Sequence, residues 1–196
     1  MTTTSALVIN QANAQITKSN IERRAVTNTD VRIAIAYSGI CHSDVHQGRE
    51  EWGGATFPMV PGHEIVGHVV EVGPGVTKFK VGQAVGVGVF VNSCRECDAC
   101  RSNLETYCEK GPVGAYNATD YNGEIQYGGY SKEIVTDEHF VAHIADGVNL
   151  AECAPLLCAG ITVYSPLKHW GAAPGKKIAI LGMGGLGHLA VKFAVA

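Results

Sequence analysis

Apolar, β-branched runs separated by glycine, proline, asparagine and aspartate fill the first three quarters of the chain. Residues 31–37, 64–72, 84–91 and 140–144 carry such runs, and their length and flanking turn residues predict strands. The first helical signal comes at Asn149, with Glu152 three residues on, a capping pair. Residues 176–181 form another β-branched apolar run behind "APG" and predict a buried strand, and "HLAVKFAVA" continues with helical spacing. The pattern is β-rich first and changes to strand-then-helix near residue 149. Glycine makes up 24 of 196 residues, above the ~7% of average proteins, which fits many turns between short strands. No internal repeat or low-complexity segment interrupts it.

Composition adds little to the fold but narrows the function. With 46% hydrophobic residues the chain can bury a core as one domain or two small ones. No apolar run approaches the ~18 residues of a membrane span. The N-terminal "MTTTSALVIN" lacks the basic and apolar regions of a secretory signal. A formal charge of −3 argues against nucleic-acid or anionic-membrane surfaces, which need clustered Lys and Arg. The expectation is a soluble cytoplasmic protein acting on small molecules, with no nucleic-acid and no membrane partner.

Seven cysteines, an odd number, in a reducing compartment point to metal ligation or catalysis before a disulfide framework. Cys94, Cys97, Cys100 and Cys108 read C-x-x-C-x-x-C-x7-C. Four soft sulfur donors favour zinc or an iron–sulfur cluster. The bacterial ferredoxin run closes its fourth gap after three residues and follows with proline; here the gap is seven and Glu109 follows. A closed structural zinc site is the favoured reading, with a cluster or unliganded thiols as the alternatives. With all four positions filled by protein, such a site stabilises the loop and leaves catalysis to residues elsewhere.

A second polar cluster stands in residues 38–67. Cys41 and His63 are a soft thiolate and an imidazole, suitable as zinc ligands if the fold joins them, with His42, Ser43, Asp44, His46 and Glu64 beside them. Singly, each has a bland alternative as a core cysteine, a hydrogen-bonded histidine or a solvated charge. Jointly, and at the entrance to a strand, they predict a cleft. His68, inside that strand, reads as an ordinary histidine.

The third signal is "KKIAILGMGGLGHLAVKF", in which Gly182, Gly184 and Gly187 supply G-x-G-x-x-G. Those glycines, with Gly185 and Leu186 between them, permit a tight turn and close approach of a pyrophosphate to backbone amides at a helix start. The acidic residue that completes the fingerprint about 20 residues on would fall beyond Ala196.

Together, "CHSDVH", "VPGHEIVG", the four-cysteine loop, "GGYS", "APLLCAGITVYSPL" and "GMGGLGH" resemble the zinc-dependent alcohol dehydrogenases of the medium-chain dehydrogenase/reductase superfamily, cinnamyl-alcohol-dehydrogenase-like branch. The resemblance runs along nearly the whole chain. It implies a β-rich GroES-like catalytic domain over residues 1–148, followed over 149–196 by linking helices and the opening strand and helix of an incomplete α/β Rossmann domain. It implies two zinc ions per full-length subunit, NADP(H) in preference to NAD(H), alcohol or aldehyde substrates, and a homo-oligomer for the full-length parent.

Residue by residue, the resemblance assigns Cys41, His63 and Cys158 to a catalytic zinc, with Glu64 beside it, and the four clustered cysteines to a structural zinc. Ser43 and His46 would form a proton relay, and Asp44 would orient His63. His42 would approach the cofactor pyrophosphate, Thr162 the nicotinamide, and Trp52 and Phe90 the substrate. Cys153 is left over as a packing residue. A zinc-free reductase of the same superfamily is disfavoured by the joint presence of Cys41, His63 and Cys158.

Only nine residues follow Gly187, less than one crossover helix of a doubly wound domain. The chain as given is therefore expected to be a fragment of a longer polypeptide or a truncated product. The alternative for it is a non-catalytic zinc-binding lobe without a complete cofactor site, prone to self-association through its uncovered strand edge and apolar helix face.

Overall fold

A computed structural model describes residues Met1–Ala196. The elements in chain order are β1 (Thr2–Val8), β2 (Thr17–Arg23), β3 (Asp30–Ser38), α1 (His42–Gly48), β4 (Ile65–Val72), β5 (Ala84–Val87), β6 (Phe90–Asn92) and α2 (Asp98–Arg101). There follow β7 (Val113–Gly114), β8 (Ala118–Thr119), β9 (Ile125–Gln126), β10 (Glu133–Asp137), β11 (Val141–His143), α3 (Leu150–Cys153), α4 (Ala159–His169) and α5 (Gly185–Val195). The central sheet runs β10-β3-β4-β5-β11, with every neighbouring pair antiparallel. Three two-stranded ladders, β1-β2, β6-β7 and β8-β9, flank it.

Apolar, β-branched residues of the central strands build the core. On β3, Val31 and Ile33 are fully buried while Arg32 between them pairs outward with Glu71 at 2.6 Å. Ile65 and Val69 of β4, Val85 and Val87 of β5 and Ile134 of β10 join the same buried cluster. Each such side chain contributes roughly 1.5–3 kcal/mol when removed from water. The ordered sheet is the platform on which the polar residues before β4 and after β3 are held.

The predicted strands at 31–37 and 64–72 form as β3 and β4. The run at 84–91 divides into β5 and β6, because a second segment lies across it. A Cβ on Gly86 would meet Leu157 Cδ1 at 2.6 Å, and one on Gly88 the Leu157 carbonyl oxygen at 2.9 Å. These two glycines let the 3₁₀ turn Ala154–Leu157 rest directly on the sheet, which places the next residue, Cys158. Gly88→Val is expected to destabilise the fold by about 1–3 kcal/mol through overpacking. A melting temperature equal to the parent's would contradict that contact.

The strand at 140–144 starts one residue late, since Phe140 closes a 3₁₀ turn over Glu138–Phe140. Asn149 caps α3 as expected, its side chain accepting from the Ala151 amide at 3.0 Å and donating to Glu152 at 3.0 Å. The run 176–181 differs from expectation: it pairs with no strand, because a ladder needs a neighbour and no other strand of residues 1–196 flanks it. Leu181 is 95% exposed. The helix after it forms as α5 and packs on α4, with Tyr164 and Phe193 rings 5.5 Å apart. No single helix is long and apolar enough to cross a membrane.

Candidate metal and catalytic site

Cys41 is the residue from which α1 starts, His63 and Glu64 lead into β4, and Cys158 joins the 3₁₀ turn to α4. One ligand atom from each of the four lies within 4.8 Å of all the others. Cys41 Sγ is 3.9 Å from Cys158 Sγ, and His63 Nε2 is 3.2 Å from Cys158 Sγ. His63 and Glu64 are buried. The Glu64 carboxylate occupies the place a side chain on Gly39 would take, with Oε2 1.9 Å from such a Cβ.

Asp44 holds this geometry together. Its Oδ2 accepts the Cys41 amide at 2.9 Å and the Tyr130 hydroxyl at 3.0 Å. Its Oδ1 accepts the Gly62 amide at 3.0 Å and faces His63 Nδ1 at 3.4 Å. The carboxylate sits in the first turn of α1, where the helix dipole favours negative charge. Burial alone would raise its pKa, but His63 and the two amides hold it below the usual range.

The cluster calls for positive charge. Burial opposes protonation of the His63 ring, yet Asp44 and the Cys158 sulfur push its pKa up to about 11. Burial raises the Cys41 thiol, and Ser43 and His63 more than reverse it, so that its pKa is lowered. Glu64 is raised, by burial first. Two sulfurs, an imidazole nitrogen and a nearby carboxylate around one point are a donor set that suits zinc.

Around it, Ser43 Oγ is 3.5 Å from Cys41 Sγ. His46 pairs through Nδ1 with Glu51 and stacks on Trp52 with centroids 4.7 Å apart. The His42 ring lies 4.7 Å from the His46 ring. Trp52 is 58% exposed, Phe90 opens β6 opposite Gly114, and Thr162 lies exposed in the first turn of α4, its amide bonded to the Cys158 carbonyl at 3.0 Å. His68 is exposed on β4.

Sequence reasoning missed several partners. Glu51 was hidden in an ordinary charged run, and Tyr130 in "GGYS". Tyr116, whose ring stacks on His63 at 5.8 Å, comes from more than 50 residues away, and no local pattern marks it. The role of the paired glycines in "GGYS" is also structural: Gly128 N–H donates to Val60 O at 2.7 Å, Gly129 N–H to Gly62 O at 2.8 Å and Tyr130 N–H to Pro61 O at 2.9 Å, clamping the segment that carries His63.

The four-cysteine loop also closes. Ligand sulfurs of Cys94, Cys97, Cys100 and Cys108 lie within 4.8 Å of one another, and all seven cysteines are free thiols. The Cys94 amide donates to Cys108 Sγ at 3.4 Å and, as the main cause, brings that thiol down to about 6. The Glu109 amide chiefly lowers Cys97. Cys100 is held lower by Ser93, but burial and the neighbouring Cys97 and Cys108 outweigh this and bring it to about 11. Arg95 anchors the loop to the end of β10, bonding Asp137 at 2.9 Å and lying over the Phe140 ring at 5.3 Å. His139 reaches Glu105 at 2.6 Å.

The glycine-rich turn takes the shape its spacing predicts. Gly182 has φ +87°, and a Cβ on Gly187 would stand 1.9 Å from the Gly182 carbonyl. Gly184 caps α5, with Gly185, Leu186 and Gly187 in its first turn.

Residues 27–146 match the alcohol dehydrogenase GroES-like domain, and the chain belongs to that family. It is 57% identical over 197 residues to NADP-dependent alcohol dehydrogenase C 1 of Mycolicibacterium smegmatis, covering 100% of this chain and 56% of that protein. It is 55% identical over 193 residues to the probable formaldehyde dehydrogenase AdhA of Bacillus subtilis, covering 98% and 55%. Among solved structures, a cinnamyl alcohol dehydrogenase of Sorghum bicolor superposes with TM-score 0.96 at 43% identity, covering 99% of this chain and 56% of that one. The CAD of Helicobacter pylori, complexed with NADP(H), gives 0.95 at 46% identity, covering 98% and 56%. The chain thus spans about half the length of the curated relatives it matches.

Proposed function

We propose that this chain supplies the catalytic domain and the first part of the cofactor-binding domain, divided near residue 148, of a zinc- and NADP(H)-dependent oxidoreductase that interconverts alcohols and aldehydes. The observation that carries the reading is the meeting of Cys41, His63, Glu64 and Cys158, two of which lie 117 positions apart in sequence. Cys41, His63 and Cys158 hold the metal, and Glu64 stands beside them. Bound there, zinc supplies a Lewis acid for the substrate oxygen and NADP(H) the hydride donor or acceptor. The names of the relatives support NADP(H) and the alcohol–aldehyde chemistry.

The chain's own groups do the rest. Ser43, beside Cys41, presents a hydroxyl that can hold the substrate proton. His46, paired with Glu51, stands further out as the next carrier. Asp44 fixes the face that His63 turns to the metal, as a carboxylate does for a ligating imidazole. His42 and the turn Gly182–Gly187 bind the cofactor phosphates at the start of α5. Thr162 would contact the nicotinamide, and Trp52 and Phe90 would offer aromatic surface for aromatic or long aliphatic substrates. The four clustered cysteines hold a second, structural zinc.

Steady-state assay of the full-length protein tests this reading. NADPH-dependent reduction of aromatic aldehydes is expected in the parent. Ser43→Ala is expected to keep both zinc ions and lose about 10²- to 10⁴-fold in turnover, the range for a general acid–base group. Full activity in that variant would remove Ser43 from the relay.

A further inference from the structure

The Asp44 carboxylate has four polar neighbours, and three of them are built into the backbone or the ligand itself: it accepts from the amides of Cys41 and Gly62 and faces the His63 ring. The fourth is the Tyr130 hydroxyl, 3.0 Å from Oδ2. It comes from the segment that clamps residues 60–62. We propose that Tyr130 is a positioning residue for the catalytic metal: its hydroxyl fixes the plane of the Asp44 carboxylate, so that one oxygen faces His63 and the other faces the Cys41 amide.

Geometry leaves the phenol little alternative. Tyr130 N–H is committed to Pro61 O at 2.9 Å, which fixes the backbone from which the side chain reaches Asp44. Burial, then the nearby negative charge of Asp44, raise the phenol well above its ordinary pKa, so it remains a donor. Asp44 is only 5% exposed, and without the hydroxyl Oδ2 would keep one donor with little access to water, the situation in which a buried acceptor is costly. A carboxylate that loses one of the two donors on Oδ2 is held less firmly by the Cys41 and Gly62 amides alone, and holds the imidazole less firmly in turn. Partners of this kind, one bond removed from the metal ligand, change metal affinity or activity by about 10–100-fold when lost.

The inference rests on the proposed zinc at Cys41, His63 and Cys158, and the test separates the two. Zinc release from the full-length protein to a chelating dye is followed in the parent, Tyr130→Phe, Asp44→Asn and the double variant. Each variant's release resolves into a catalytic-site phase and a four-cysteine phase, the second serving as internal control. Tyr130→Phe is expected to speed the catalytic-site phase about 10-fold, to leave the four-cysteine phase unchanged, and to add nothing further on the Asp44→Asn background. Cobalt substituted at the catalytic site should show a broadened visible absorption in Tyr130→Phe. Equal acceleration of both phases, no acceleration, or full additivity with Asp44→Asn would overturn the proposal. A parent that releases zinc from the four-cysteine loop alone would overturn the catalytic-zinc reading itself, and this inference with it.

Discussion

Replacing His63 with alanine in the full-length protein is expected to remove one zinc per subunit and nearly all turnover, and Cys41→Ala to do the same. His63 is 4% exposed and lies between Asp44 on one ring nitrogen and the Cys158 sulfur on the other. Nothing nearby replaces the lost ring nitrogen: Gly62 offers no donor side chain, and Glu64 already belongs to the same cluster. Removal also takes the ring partner from the buried Asp44 carboxylate, which keeps only the neutral donors of Cys41, Gly62 and Tyr130. The loss should therefore show in kcat and in zinc content together, while the four-cysteine zinc persists. Unchanged turnover in His63→Ala would rule out zinc chemistry at this site.

The second large effect is on folding. Cys97→Ser or Cys100→Ser is expected to lower the yield of folded protein sharply, since binding energy at a structural zinc is folding energy. The loop from Cys94 to Cys108 has little apolar interior of its own: α2 is four residues long, and Leu104 and Tyr107 are exposed. Its ion-pair attachments to the rest are Arg95 to Asp137 and His139 to Glu105, both partly solvated and each worth ~1 kcal/mol or less. With the proposed zinc bound, metal ligation would do most to hold the loop in shape. Variants that fold and melt as the parent does, measured by circular dichroism and zinc content, would contradict this.

Much of this was legible because the relevant signals are local. The four cysteines span fifteen positions, and the glycine turn needs only six. The strands of the central sheet lie on apolar, β-branched runs, in which Val31 and Ile33 are fully buried. What escaped reading depends on partners distant in sequence. Strand β2, "TKSNIER", is largely polar and exposed, so it carries no apolar period, and its ladder is set by β1. The apolar run 176–181 carries the period of a strand but finds no neighbour here, so its pattern exceeds what residues 1–196 can pair. Tyr130 and Glu51 acquire their roles only when the chain folds them against Asp44 and His46. The glycines at 86 and 88 stand inside the run expected as one strand, and the leucine some seventy residues on that rests against them leaves no mark in that run.

Whether the chain builds two separate zinc sites can be seen by anomalous scattering at the zinc absorption edge from crystals of the full-length protein. Two zinc peaks per subunit are expected, one bounded by Cys41, His63 and Cys158 and one among Cys94, Cys97, Cys100 and Cys108. A single peak in the four-cysteine loop, or an edge belonging to iron, would contradict the assignment of a catalytic and a structural zinc.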